Sequence, residues 1–118
     1  MKSSSRNIAM LNLTDQLIVK TGWAGPLLWL VTNSGGSIHL HDSKISLNDK
    51  LISPADDLSS QLCGAKISDL TITQKKLRIE FSEGTIISVT AAAHETARIF
   101  RKGNKHYIYQ KGELSQEL

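Results

Sequence analysis

Residues 77–89, LRIEFSEGTIISV, alternate apolar and polar side chains on both sides of one glycine. Leu77, Ile79 and Phe81 interleave with Arg78, Glu80 and Ser82. A period of two puts each set on one face of a strand. With Ser82-Glu83-Gly84 as a three-residue hairpin loop, Ile79 faces Ile87, Leu77 faces Val89 and Phe81 faces Thr85. Gly84 then takes the third loop position, which needs φ > 0 and which glycine adopts at little cost. A slip of one residue would turn the apolar set away from its partners, so turn chemistry and register agree.

The same pattern stands 49 residues earlier, in LLWLVTNSGGSIHL. A loop at Asn33-Ser34-Gly35 sets Leu30 against Ile38 and Leu28 against Leu40. A strand-like run precedes each hairpin: QLIVKTGW before the first, AKISDLTIT before the second. Gly25-Pro26 and Gln74-Lys75-Lys76 supply the turns between. The pattern predicts two three-stranded meanders, a degenerate internal repeat.

The rest of the chain is less regular. AAAHETARIFRKGN admits a helix from Thr90 stopped at Gly103. It also admits a strand, Thr96 to Arg101, that turns at Lys102–Lys105 into a strand from His106 to Gln110. The aromatic and β-branched content of KHYIYQ favours this C-terminal hairpin. Residues 41–61 form a long connection rich in Ser and Asp, with Pro54 inside it, and long connections are usually functional or disordered. A short strand near Ile45 and a helical turn within Ala55–Leu62 fit its residues. Residues 1–6 and 114–118 are expected to be loose. The sum is a single all-β domain over residues 1–118. It is an antiparallel β-sandwich or flattened barrel of about eight strands.

Composition narrows the class. A chain of 118 residues suits one domain, with enough buried surface to fold without staples. A lone cysteine, Cys63, forms no intrachain disulfide and suits a reducing cytoplasm. The first residues have no continuous apolar core and do not read as a signal peptide. LIVKTGWAGPLLWLV is broken by Lys20, Gly22, Gly25 and Pro26, short of the roughly 18 unbroken apolar residues of a membrane span. The net charge of +3 is unevenly placed: residues 1–63 balance, while 64–118 hold nine bases and six acids. Five bases and no acid fall between Arg98 and Lys111.

Candidate chemistry is sparse. His39 and His41 share one face of a strand, as two zinc or copper ligands would, but no third ligand has recognisable spacing. His39 falls opposite Trp29, so a face of rings packed on an indole accounts for the pair, and no metal is expected. NSGGS lacks the lysine and following helix of a phosphate loop and reads as a turn. No G-x-S-x-G elbow is present. Cys63, among apolar and small residues, is expected to be a buried thiol. Asp56-Asp57 suit a solvated loop or a helix start. Arg98, Arg101, Lys102, Lys105 and Tyr107 interleave charge with aromatics, as a single-stranded nucleic-acid binder would. Alternation, however, turns some of those rings inward.

The second half resembles a group of small bacterial β-proteins that includes immunity proteins of contact-dependent growth inhibition and related toxin systems. The likeness runs over residues 62–100: Leu62, Gly64, Ile67 and Leu70, then LRIEFSEGTIISV with Gly84 at its turn, then HETARI. It implies a cytoplasmic β-sandwich that binds a cognate toxin domain and occludes its active site, with no catalytic residue and no cofactor. Such proteins are often acidic when the toxin is a nuclease with a cationic cleft. This chain is basic. Either its local acids make the contact, or the toxin is not a cationic nuclease. The contact residues expected on that reading are Asp42, Asp49, Asp56 and Asp57, with Trp23 as an anchor. Trp29 is expected in the core. The alternative is a small basic domain that binds single-stranded nucleic acid through Arg98, Arg101, Lys102, Lys105 and Tyr107.

Overall fold

Both glycine-turned hairpins form in the predicted register. Leu30 pairs with Ile38 and Leu28 with Leu40; Ile79 pairs with Ile87 and Leu77 with Val89. Gly35 and Gly84 take φ of 91° and 104° at the two turns. The computed structural model describes residues 13–41, 45–91, 95–101 and 105–117. Its strands are β1 (Ile18–Ala24), β2 (Leu27–Thr32), β3 (Ser37–Leu40), β4 (Ile45–Leu47), β5 (Lys50–Leu51), β6 (Ile67–Ile72), β7 (Lys76–Phe81), β8 (Ile86–Thr90), β9 (Glu95–Arg101), β10 (Lys105–Gln110) and β11 (Glu113–Glu117). A single turn of helix among the described residues, α1 (Ser59–Leu62), precedes β6.

The strands make two antiparallel sheets, an all-β sandwich. One runs β1-β2-β3-β9-β10-β11, the other β5-β4-β8-β7-β6. Eight strands coincide with the predicted set and β4 with the short strand that the sequence admits near Ile45; β5 and β11 are additional. Residues 95–101 are strand and not helix, because β3 offers a partner edge: Ile38 pairs with Ile99 and Leu40 with Ala97. The C-terminus corrects the expectation of a loose tail. Glu113–Glu117 is a strand on the outside of β10, and Leu114 is buried. Alternation fills the space between the sheets with Leu28, Leu30, Ile38, Leu40, Leu77, Ile79, Ile87, Val89, Ile99, Tyr107 and Tyr109. Burial of such side chains, about 1.5–3 kcal/mol each, is the main force holding the sheets together.

The repeat is more than two similar hairpins. Residues 49 apart carry the same backbone detail. A register shift falls between Ile18 and Lys20 in β1, and another between Ile67 and Asp69 in β6. Asn33 N–H donates to Leu17 O at 2.9 Å, and Ser82 N–H to Lys66 O at 2.9 Å. The halves also clasp one another symmetrically. Ile18 N–H donates to Ala65 O and Ile67 N–H to Gln16 O, at 2.9 and 2.8 Å. Gly64 N–H donates to Ile18 O and Asp15 N–H to Ile67 O, each at 2.7 Å. Leu17 bridges Lys66, its own counterpart. Each half then passes its next strand to the other sheet: β4 pairs with β8, and β9 with β3. The halves are thus related by a pseudo-twofold axis with exchanged strands.

The symmetry breaks at one place. After β9, the second half continues into β10 and β11. After β4, the first half has only the two-residue β5 and then an irregular segment, 52–58. Among the described residues, no helix is long and apolar enough to cross a membrane.

Candidate functional site

The segment that breaks the repeat is held firmly. Ser46 pairs with Leu51 and Leu47 with Lys50, leaving Asn48-Asp49 as a two-residue turn. Both turn residues have positive φ, 52° and 68°, as the favoured hairpin turn requires and as Asn and Asp tolerate. Asn48 is tied to β8 twice: its N–H donates to Ile86 O at 2.8 Å, and its Oδ1 accepts from Ile86 N–H at 2.9 Å.

Beyond β5, Ser53 and Asp56 close a turn. Ser53 N–H donates to Asp56 Oδ2 at 2.8 Å, and Asp56 N–H donates to Ser53 O at 2.9 Å. Asp57 Oδ1 accepts from Ser59 N–H at 3.0 Å, at the start of α1. That backbone hydrogen bond, helped by the Ser59 hydroxyl, holds the Asp57 carboxyl below its ordinary pKa, so it keeps its charge into mild acid. Leu58 and Leu62 anchor the segment in the core. Trp23 anchors it from β1: its Nε1–H donates to Asp56 O at 2.9 Å, across 33 residues of sequence.

Between hairpin and loop lies a cleft of about 190 Å³, lined by Leu47, Lys50, Leu51, Ile52, Asp56, Asp57, Leu58 and Gln61. This is below the roughly 300–1,000 Å³ of pockets that enclose small-molecule ligands. It has the size of a socket for a side chain. Leu47 and Leu58 in its lining are buried, Lys50, Asp56 and Asp57 are exposed, and Asp49 is exposed in the adjoining hairpin turn. Leu51 stands 64% exposed, one of two large apolar side chains so placed among the described residues.

Two of the four expected acids, Asp56 and Asp57, line the cleft; Asp49 is exposed in the β4–β5 turn, and Asp42 lies outside the described residues. Trp23 is half-buried against the core and supports the loop from beneath. Leu51 and Gln61 were not anticipated from sequence. The Asn48-Asp49 pair between two short apolar runs is the signal that points to this hairpin.

The alternative set does not assemble as expected. Tyr107 is buried at 1% exposure and offers no face for stacking. Arg98 is half-buried on the outer side of β9, opposite His39. Arg101 and Lys105 are a register pair at the end of the β9–β10 hairpin, and Lys102 lies outside the described residues. Two further expectations are corrected. Cys63 is exposed, because the chain turns outward at Cys63-Gly64 after α1. Trp29 is half-buried and outward-facing, because Leu28 and Leu30 on either side of it take the inward positions.

Among the described residues no three His, Cys, Asp or Glu side chains converge as metal ligands. His39 instead has Ser37 Oγ 3.2 Å from its Nε2 and packs against Phe100. His94 lies outside the described residues. No family model, curated protein or solved structure matches the chain.

Proposed function

We propose that this protein is a binding module that neutralises a partner protein, a bacterial toxin domain, by docking on it through residues 45–61 and covering its active site. It acts in the cytoplasm by occlusion, without catalysis and without a cofactor. The observation that carries the reading is the cleft at the break in the repeat. Leu47, Ile52 and Leu58 line it together with two acids, Asp56 and Asp57, and one base, Lys50. That chemistry suits a lysine or arginine of the partner, whose stem lies on the aliphatic side chains while its cation meets the acids. The local acids let a basic chain match a cationic toxin cleft. The resemblance of residues 62–100 to immunity proteins points the same way.

The test is co-expression with the toxin domain encoded in the adjacent reading frame. The expected result is rescued growth and a one-to-one complex. Leu51→Arg should leave thermal stability nearly unchanged, since exposed positions usually contribute within about 0.5 kcal/mol. The same change should weaken the complex by about tenfold or more, as expected of a central contact. No complex and no rescue would refute the proposal.

A further inference from the structure

The two halves of the repeat leave edges of different chemistry. β1 and β6 are equivalent strands, 49 residues apart, and each stands last in its sheet. The β6 edge is solvated: Ser68, Asp69 and Thr71 are exposed. Its far end is covered, since the Tyr109 hydroxyl donates to Thr73 O at 2.8 Å. The same positions on β1 hold Val19, Lys20 and Gly22, and Arg78 beside Thr71 is replaced by Trp29 beside Gly22. Val19 is 53% exposed. The fold does not require an apolar edge there, since its own second half lacks one.

The backbone of β1 is open over residues 20–24. Gly25-Pro26 is a two-residue turn that closes on the pair Ala24↔Leu27. Bonded pairs alternate from that point, so Ala24, Gly22 and Lys20 bond to β2, while Thr21 and Trp23 aim their N–H and C=O groups outward. At Ile18 the edge is already taken: its N–H donates to Ala65 O, and its O accepts from Gly64 N–H. Thr21 and Trp23 have no strand beyond them among the described residues.

These two residues are equidistant from Gly22. An antiparallel second β1, turned about a twofold axis at Gly22, sets Thr21 against Trp23 of the other copy and satisfies both edges at once. Gly22 then meets Gly22 at the axis, in the close pairing where side chains crowd most. Neither has a side chain to crowd. Trp29 lies over that glycine, whose Cβ would stand 2.5 Å from the indole Cζ2, so two indoles come together over the junction. Lys20 falls opposite Ala24 of the other copy, and no like charges meet. Val19 comes against the Gly25-Pro26 turn. The equivalent axis on β6 would press Thr71 on Thr71 and bring two Arg78 side chains together.

We propose that the protein forms a homodimer by antiparallel pairing of two β1 edges, which joins the six-stranded sheets into one, with Trp29 of each copy covering the seam. The seam is small, which places dissociation in the micromolar range. It uses none of the residues that line the 48–61 cleft, so this proposal and the binding of a toxin fail separately.

The test is sedimentation equilibrium of the full chain over a series from micromolar to millimolar protein. A monomer–dimer equilibrium is the expected result. Ala24 reads the register, because it is exposed and Lys20 of the other copy stands opposite. Ala24→Lys should weaken the dimer about fivefold, and Ala24→Glu should tighten it by a similar factor, each pair acting twice across the axis. Lys20→Glu combined with Ala24→Lys should restore it. Trp29→Ala should weaken it about tenfold, while Arg78→Ala, at the equivalent place on the other sheet, should not. Amide exchange of the unmodified chain provides a check independent of variant folding: protection at Thr21 and Trp23 should rise with protein concentration. A monomer throughout the series would overturn the proposal. So would a dimer indifferent to the charge at position 24, or one whose concentration-dependent protection lies outside residues 20–24.

Discussion

Tyr109 shows how one residue couples the sandwich to pH. It is fully buried, and its hydroxyl donates to Thr73 O at 2.8 Å. Burial pushes the phenol up to about 12. The folded state thus keeps a proton that the unfolded chain releases near pH 10. This contribution is complete below pH 10 and is lost as pH rises from there through about 12. Tyr109→Phe should cost about 1 kcal/mol at neutral pH for the lost hydrogen bond. It should also flatten the fall in Tm between pH 10 and 12. Equal slopes for both proteins would show that the phenol is not held neutral. Period-2 alternation pairs Tyr107 with Tyr109 but does not say which face is inner. That is decided by β9, whose Ala97 and Ile99 meet the two tyrosines across the strand. Trp29 illustrates the same limit. Its alternation with Leu28 and Leu30 is plain, but its role as a flat outer ring depends on the bare Gly22 of another strand.

At the scale of elements, the hairpins were legible because glycine and alternation specify the same register. Gly84 holds φ of 104°, so Gly84→Ala should cost about 1–2 kcal/mol through backbone strain, measured by denaturant unfolding. An unchanged midpoint would remove the glycine from its role. The strand β11 was not legible, since ELSQE carries one apolar residue, Leu114. It exists because β10 presents an open edge. Removing residues 113–118 should therefore lower Tm by several degrees and expose Tyr109 to quenching; a tail without structure would change neither. The β4–β5 hairpin was half-legible. A strand near Ile45 was visible, but β5 has two residues, too few for any periodicity. The cleft itself was hidden, because it needs Trp23 and Asp56 brought together from distant parts of the sequence.

For the whole molecule, the pseudo-twofold has a consequence for assembly. Each half gives a strand to the other sheet, so neither half closes its own core. Fragments cut between Asp57 and Leu58 should copurify as a one-to-one pair when co-expressed, and neither should fold alone as a monomer. A half that melts cooperatively by itself would contradict the exchange. The same symmetry makes the 48–61 segment recognisable, as the part that the repeat does not explain. Hydrogen exchange on a complex with the proposed toxin partner tests its role most directly. Slowed exchange concentrated between Asn48 and Asp57, on the hairpin tip and cleft loop, is the expected footprint. Slowing confined to β9, β10 or the outer face of the five-stranded sheet, with 45–61 exchanging as in the protein alone, would contradict it.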